Sequence, residues 1–188
     1  MSKDATGPAR LEMDAALEFL QQLHSEVDRL AGEVAAQHGD RLKCMRGCSH
    51  CCVDGITVFD VEAERIRRAH PELLASGVAG LAGACAFLDG DGACRIYEDR
   101  PYVCRTQGLP LRWLEELDSG ETVERRDICP LNEPGEPKLE ELTVNDCWPI
   151  GPVEEQLARV QAMLQGAGPS DELTRVPLRD LFAKLRRP

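Results

Sequence analysis

Large aromatic rings are scarce in this sequence: two tryptophans, two tyrosines and four phenylalanines among 188 residues. A hydrophobic fraction of 43% is enough for a core, but rings contribute little to it, which favours a small centre stapled by something else, such as a metal. Positive charge is short as well. Against 33 acidic residues stand 22 basic ones, for a formal net charge of −11. The basic clusters are brief: Arg65, Arg67 and Arg68; Arg125 and Arg126; Lys184, Arg186 and Arg187. A nucleic-acid binder needs a basic footprint to displace phosphate counterions, so no nucleic-acid partner is expected. No stretch approaches the ~18 consecutive apolar residues of a membrane span, and no apolar run follows Lys3, so neither a membrane partner nor a signal peptide is read. A cytoplasmic protein is the expectation. Hydrolase and nucleotide signatures are missing too: there is no Gly-x-Ser-x-Gly, His-Glu-x-x-His or phosphate loop. Gly77, Gly80 and Gly83 are no dinucleotide fingerprint, because no strand leads into them.

What the chain has in excess is cysteine. Nine are present, four of them in Cys44-Met45-Arg46-Gly47-Cys48-Ser49-His50-Cys51-Cys52, followed by Cys85, Cys94, Cys104, Cys129 and Cys147. In a reducing compartment nine thiols are not a disulfide framework, and an odd count argues the same way. Metal ligation is the remaining common reason to hold so many. Cys44-x3-Cys48-x2-Cys51 has the short spacing of zinc knuckles, and iron–sulfur sites use similar runs plus a distant cysteine. Thiolates are soft donors, which excludes magnesium and calcium but leaves zinc, cuprous copper and an iron–sulfur cluster open. Adjacent Cys51 and Cys52 would point apart on an extended backbone. That implies either two centres, one on each side of the pair, or one centre with Cys52 left to packing. Arg46, Arg100 and Arg105 are candidates to donate to the negatively charged thiolates. A cysteine nucleophile would need a histidine base; His24 and His38 read as exposed on a helix, His70 as a helix end, and His50 as a secondary candidate ligand inside the knuckle.

Around these residues the pattern predicts an α+β fold: a helix-rich small domain with short strands, hairpins and irregular loops organised around a cysteine-ligated metal centre. Residues 1–10 read as a disordered lead. Residues 11–150 form one cysteine-cluster domain, and 151–188 add C-terminal helices that pack on it. Met13, Ala16, Leu20, Leu23, Val27, Leu30 and Val34 recur at helical spacing, giving a long amphipathic helix over 11–38. Its partner is the segment after Gly151-Pro152, where Val153, Leu157, Val160 and Leu164 repeat that spacing; a homodimer through the first helix is the alternative. A strand is predicted over 56–59, and a helix capped by Asp60 over 61–69. Hairpins are predicted over 85–97, turning at Asp89-Gly90, and over 111–128, turning at Asp118-Ser119-Gly120. A short helix is expected near 139–144 and a last one near 178–185. Trp113 and Trp148 read as packing residues.

One string is more specific than the rest. The knuckle, then Cys85-Ala86-Phe87-Leu88, then Cys94-Arg95-Ile96-Tyr97-Glu98-Asp99-Arg100-Pro101-Tyr102-Val103-Cys104-Arg105, with Cys129-Pro130-Leu131-Asn132 to follow, resembles the YkgJ-type cysteine-cluster proteins. This family is described as zinc- or iron-chelating and often labelled as carrying an iron–sulfur cluster. The resemblance implies metal ligation by Cys44, Cys48, Cys51, Cys52, Cys85, Cys94, Cys104 and Cys129, with Cys147 outside the matched block. The functional reading is a metal-binding protein with a structural, metal-carrier or electron-transfer role and an unidentified protein partner. The alternative is an iron–sulfur redox enzyme or the accessory subunit of a modification enzyme. The spacing of Cys44, Cys48 and Cys51 also occurs in radical S-adenosylmethionine enzymes, but the strand–helix alternation of their barrel is not present here.

Overall fold

The computed structural model describes residues 11–182. The predicted lead over 1–10 and the basic cluster at Lys184, Arg186 and Arg187 lie outside the described residues. Two hydrophobic cores are built. The first forms on α1 (Met13–His38), whose buried residues are Ala16, Leu20, His24, Val27 and Ala31. Successive steps of three and four residues keep these on one face. Against that face pack α2 (Asp60–Ala69), the single turn α4 (Tyr102–Arg105) and α5 (Gly151–Gln165). The expected partner residues Val153, Leu157, Val160 and Leu164 all enter this core. Pro152 lies in the first turn of α5, and Gly166 ends it at φ 65°, a left-handed position that favours glycine. The internal pairing of α1 with α5, together with α2 and α4, therefore covers part of the stripe.

The centre of that stripe differs from expectation. Leu23, Leu30 and Val34 are only partly buried, whereas His24 is 2% exposed. Its Nε2 stands 3.4 Å from Glu62 Oε1, and Glu62 in turn accepts the backbone N–H of Tyr102 at 2.8 Å. His38 is not free either, with Nε2 2.6 Å from the Asp146 carbonyl oxygen. Both histidines depart from the exposed reading because helical period alone says nothing about a polar partner from another element. Burial holds the His24 pKa below its ordinary value of 6.5, outweighing the pull of Glu62. The unfolded chain therefore takes up a proton near pH 6.5 that native His24 refuses, and stability is expected to fall as pH drops through that value. His24→Leu should flatten this part of a stability-versus-pH curve measured by urea unfolding; an unchanged slope would contradict the assignment.

The second core joins α2 to the cysteine loops. It contains Val58, Ala63, Ile66, Phe87, Ile96, Leu178 and Leu181, with Phe182 against Phe87 at 4.9 Å between ring centroids. The short strand β1 (Thr57–Phe59) contributes Val58 and pairs antiparallel with β5 (Arg175–Pro177). Of the last helix expected near 178–185, the described part is a 3₁₀ helix over Leu178–Phe182 that follows this strand, and residues 183–185 lie outside the described residues. Asp60 does not cap α2; its carboxylate pairs with Arg67 at 3.0 Å. After α2 comes the short α3 (Pro71–Ser76).

A separate three-stranded sheet completes the fold, in the order β3-β2-β4. As expected, β2 (Leu111–Glu116) and β3 (Thr122–Asp127) form an antiparallel hairpin. The two-residue β4 (Trp148–Pro149) adds parallel to β2. The expected helix near 139–144 is two 3₁₀ turns, Leu139–Glu141 and Val144–Asp146. Trp148 is buried, and its indole N–H donates to the Tyr102 hydroxyl at 3.0 Å, which donates to the Ile150 carbonyl at 3.1 Å. Among the described residues no helix is long and apolar enough to cross a membrane.

Candidate metal centre

The knuckle contains two turns in succession. Cys48 N–H donates to the Met45 carbonyl and Cys52 N–H to the Ser49 carbonyl, each at 2.9 Å. Gly47, at φ 86°, sits inside the first turn. The backbone at Cys51-Cys52 is therefore curled rather than extended, and the two thiols lie close enough to shift each other's ionisation. The extended backbone on which the two thiols would point apart is therefore not present at this pair.

One flank of the knuckle hangs from Asn132, which is 0% exposed. Its Oδ1 accepts the Lys43 N–H at 2.7 Å, and its Nδ2 donates to the Gly108 carbonyl at 2.8 Å and to Cys44 Sγ at 3.4 Å. Its own N–H donates to the Cys129 carbonyl at 2.7 Å. Asn132 is held in place by buried Arg41, whose guanidinium donates to the carbonyls of Asn132, Pro137 and Glu133 at 2.8–3.0 Å. Gly108 is required where it is. Its φ is 96°, and a Cβ there would stand 2.5 Å from Cys44 Sγ. Gly108→Ala is expected to cost on the order of 1–3 kcal/mol, measurable as a lower urea midpoint.

The other flank rests on 80–96. Cys85 N–H donates to the Cys52 carbonyl at 2.9 Å, and Val53 bridges Ala84. The expected hairpin over 85–97 is reduced to a single bridge, Leu88 to Cys94. The reason is Asp89, whose Oδ1 takes the amides of Asp91 and Ala93 at 2.9 and 2.8 Å, tightening the loop instead of extending it. Arg179 clamps this flank from the far end of the chain. It donates to the carbonyls of Gly80, Leu81 and Ala84 and pairs with Asp54 at 2.8 Å. Cys104 is delivered by α4, where its N–H donates to the Pro101 carbonyl at 2.9 Å.

Eight of the nine cysteines thus lie within electrostatic reach of at least one other, in two sets that share Cys51. Cys44 feels charge on Cys48, Cys129 and Cys51. Cys52 feels Cys51, Cys85 and Cys104, and Cys104 feels Cys85, Cys94 and Cys51. Cys147 is 2% exposed and stands instead among Arg126, Asp146, Glu124 and Arg112. Comparison with known families finds that residues 43–130 match the CxxCxxCC model, described as "Putative zinc- or iron-chelating domain". The segment is similar to this family of cysteine-cluster domains over less than half of the chain. Its bounds enclose all eight gathered cysteines and omit Cys147. Comparisons with curated proteins and with solved structures give no match.

Within the matched segment, burial sets the chemistry of the thiols. It raises the pKa of Cys44, Cys85 and Cys94 and pushes Cys104 up to about 12. The closeness of the two adjacent thiols holds Cys51 low and Cys52 high. A metal cation reverses the burial penalty, because a coordinating thiol is deprotonated outright. The donor set, all thiol sulfur, fits zinc or an iron–sulfur cluster. Among the described residues no three His, Cys, Asp or Glu side chains are drawn in tightly enough to hold an ion as they stand.

The cations differ from those expected. Arg105 turns away to Asp28 at 2.5 Å and the Glu98 carbonyl at 2.9 Å. The charge of Arg46 reaches the Asp89 carboxylate. Arg100 lies over the Tyr97 ring, and its charge reaches Cys94. Two arginines unforeseen in the sequence lower the cost of thiolates here: Arg95 at Cys85 and Cys94, and Arg179 at Cys85. Arg95 adjoins Cys94 and was legible as a neighbour; nothing local marks Arg179. His50 is exposed and eases ionisation of Cys51.

Proposed function

We propose that Cys44, Cys48, Cys51, Cys52, Cys85, Cys94, Cys104 and Cys129 ligate metal. The protein's role is then to hold zinc or an iron–sulfur cluster, as a structural or carried metal or as an electron carrier. The observation that supports this reading is that hydrogen bonds tie Cys129, through Asn132, and Cys85, through the Cys52 carbonyl, to the knuckle, with Cys94 and Cys104 in reach of Cys85 and Cys147 left out. Bound metal supplies positive charge that the buried thiolates otherwise lack. The protein supplies the scaffold: Asn132 orients Cys44, the Cys52 carbonyl fixes Cys85, and α4 presents Cys104. Since the thiols are neighbours without being closed on one another, ligation draws the knuckle, the 84–96 loop and the 129–132 turn together.

Anaerobic purification followed by metal analysis and an absorption spectrum tests this. Stoichiometric zinc or iron is the expected result. Zinc without visible absorption would exclude electron transfer, because zinc has no redox chemistry, whereas a brown protein that bleaches on oxidation supports a cluster. Folded protein with neither metal and with nine freely titratable thiols would overturn the proposal.

A further inference from the structure

We infer that the domain holds two metal centres in unequal sites: an outer one on Cys44, Cys48, Cys51 and Cys129, and an inner one on Cys52, Cys85, Cys94 and Cys104, meeting at the Cys51-Cys52 peptide. This rests on the metal-binding reading above and goes beyond it in number, ligand sets and accessibility. Each site suits one thiophilic divalent cation of the zinc type, which takes four donors in a closed tetrahedron. Eight thiols fill two such sets.

The division follows from what each cysteine is attached to. Cys44 and Cys129 both hang from Asn132, one through Nδ2 to its sulfur and the other through its carbonyl. Cys48 and Cys51 follow Cys44 on the same curled knuckle. Cys52 instead belongs to the opposite flank, its carbonyl bonded to Cys85 N–H, and Cys94 sits at the one bridge that closes the Cys85 loop. Cys52, Cys85 and Cys94 all pack in the second hydrophobic core, and no outer cysteine does. Surroundings differ accordingly. Cys44 is exposed, beside Met45 at 76% exposure, whereas Cys85 is 8% exposed, and the other six are intermediate. Balancing charge is likewise divided, with Arg95, Arg100 and Arg179 placed for the inner thiols and the Asn132 amide for the outer one. The outer centre is therefore the one that exchanges with solution, and the inner one is retained.

Cobalt(II) titration of anaerobically reduced, metal-free full-length protein reads the thiolate-to-cobalt absorption as each equivalent binds. Two equivalents are expected. Challenge of the loaded wild-type protein with a chelator should release them in two phases, one fast and one slow. The double variant Cys44→Ser, Cys129→Ser should lose one of the two equivalents and the fast phase, keeping the slow one. The wild-type release curve needs no variant to fold. A single equivalent, two equivalents leaving in one phase, or loss of both equivalents in a double variant that circular dichroism reports as folded would overturn the two-site inference and leave metal binding standing. No cobalt bound by folded, reduced protein would overturn the metal-binding reading itself.

Discussion

Removing metal from the purified protein with a chelator is expected to lower its melting temperature by more than about 10 °C. Structural zinc contributes about 10–16 kcal/mol of apparent binding energy in small peptides. Retention of even ~5 kcal/mol here corresponds to roughly 10–20 °C at ~2–4 °C per kcal/mol for a chain of this size. The loss should be uneven. The core of α1 and α5 contains none of the eight gathered thiols, so its helical signal should survive, while limited proteolysis should open 43–55 and 84–110 first. Scanning calorimetry before and after chelation, with recovery on adding zinc back, measures the effect. Identical melting curves for loaded and stripped protein would remove the organising role assigned to the metal.

The largest effect of a single side chain outside the cysteines is expected at Asn132. Asn132→Ala strands the Lys43 N–H and the Gly108 carbonyl and frees Cys44. Each buried backbone group left without a partner costs about 1–3 kcal/mol, so a loss of roughly 3–5 kcal/mol is expected. Asn132→Asp is the informative companion. It keeps the acceptor for Lys43 but replaces the amide donor with a negative charge beside Cys44, so metal content should fall by more than its stability loss alone predicts. Urea unfolding and metal analysis on both variants separate the two effects. A cost below about 1 kcal/mol for Asn132→Ala would show that the hydrogen bonds are replaceable.

Periodicity made α1, α5 and the β2–β3 hairpin legible, since each buries a face that repeats along a continuous segment. The gathered cysteines were legible for a different reason: thiols so closely spaced have few other uses. What escaped was the long-range supply of partners. β5 is three residues, one of them proline, and its pairing with β1 spans over a hundred positions. His24 followed the helical stripe into the core because Glu62 arrives from α2. The 85–97 segment looked like a hairpin until the Asp89 carboxylate competed for the amides that a second strand would have used. Asn132 was visible only as a neighbour of Cys129, and its reach to Lys43 and Gly108 had no local signature.

Arg179 carries a consequence for the order of assembly. It lies 125 residues after the Asp54 it grips, and it fastens the loop that leads into Cys85. During vectorial synthesis the knuckle and Cys85 emerge well before this fastening residue is made, and a loop of that length closes late. For that interval the inner thiols lack their final clamp. Nascent chains should therefore capture metal first at the knuckle, and the inner pocket should mature only once the tail has folded back across it.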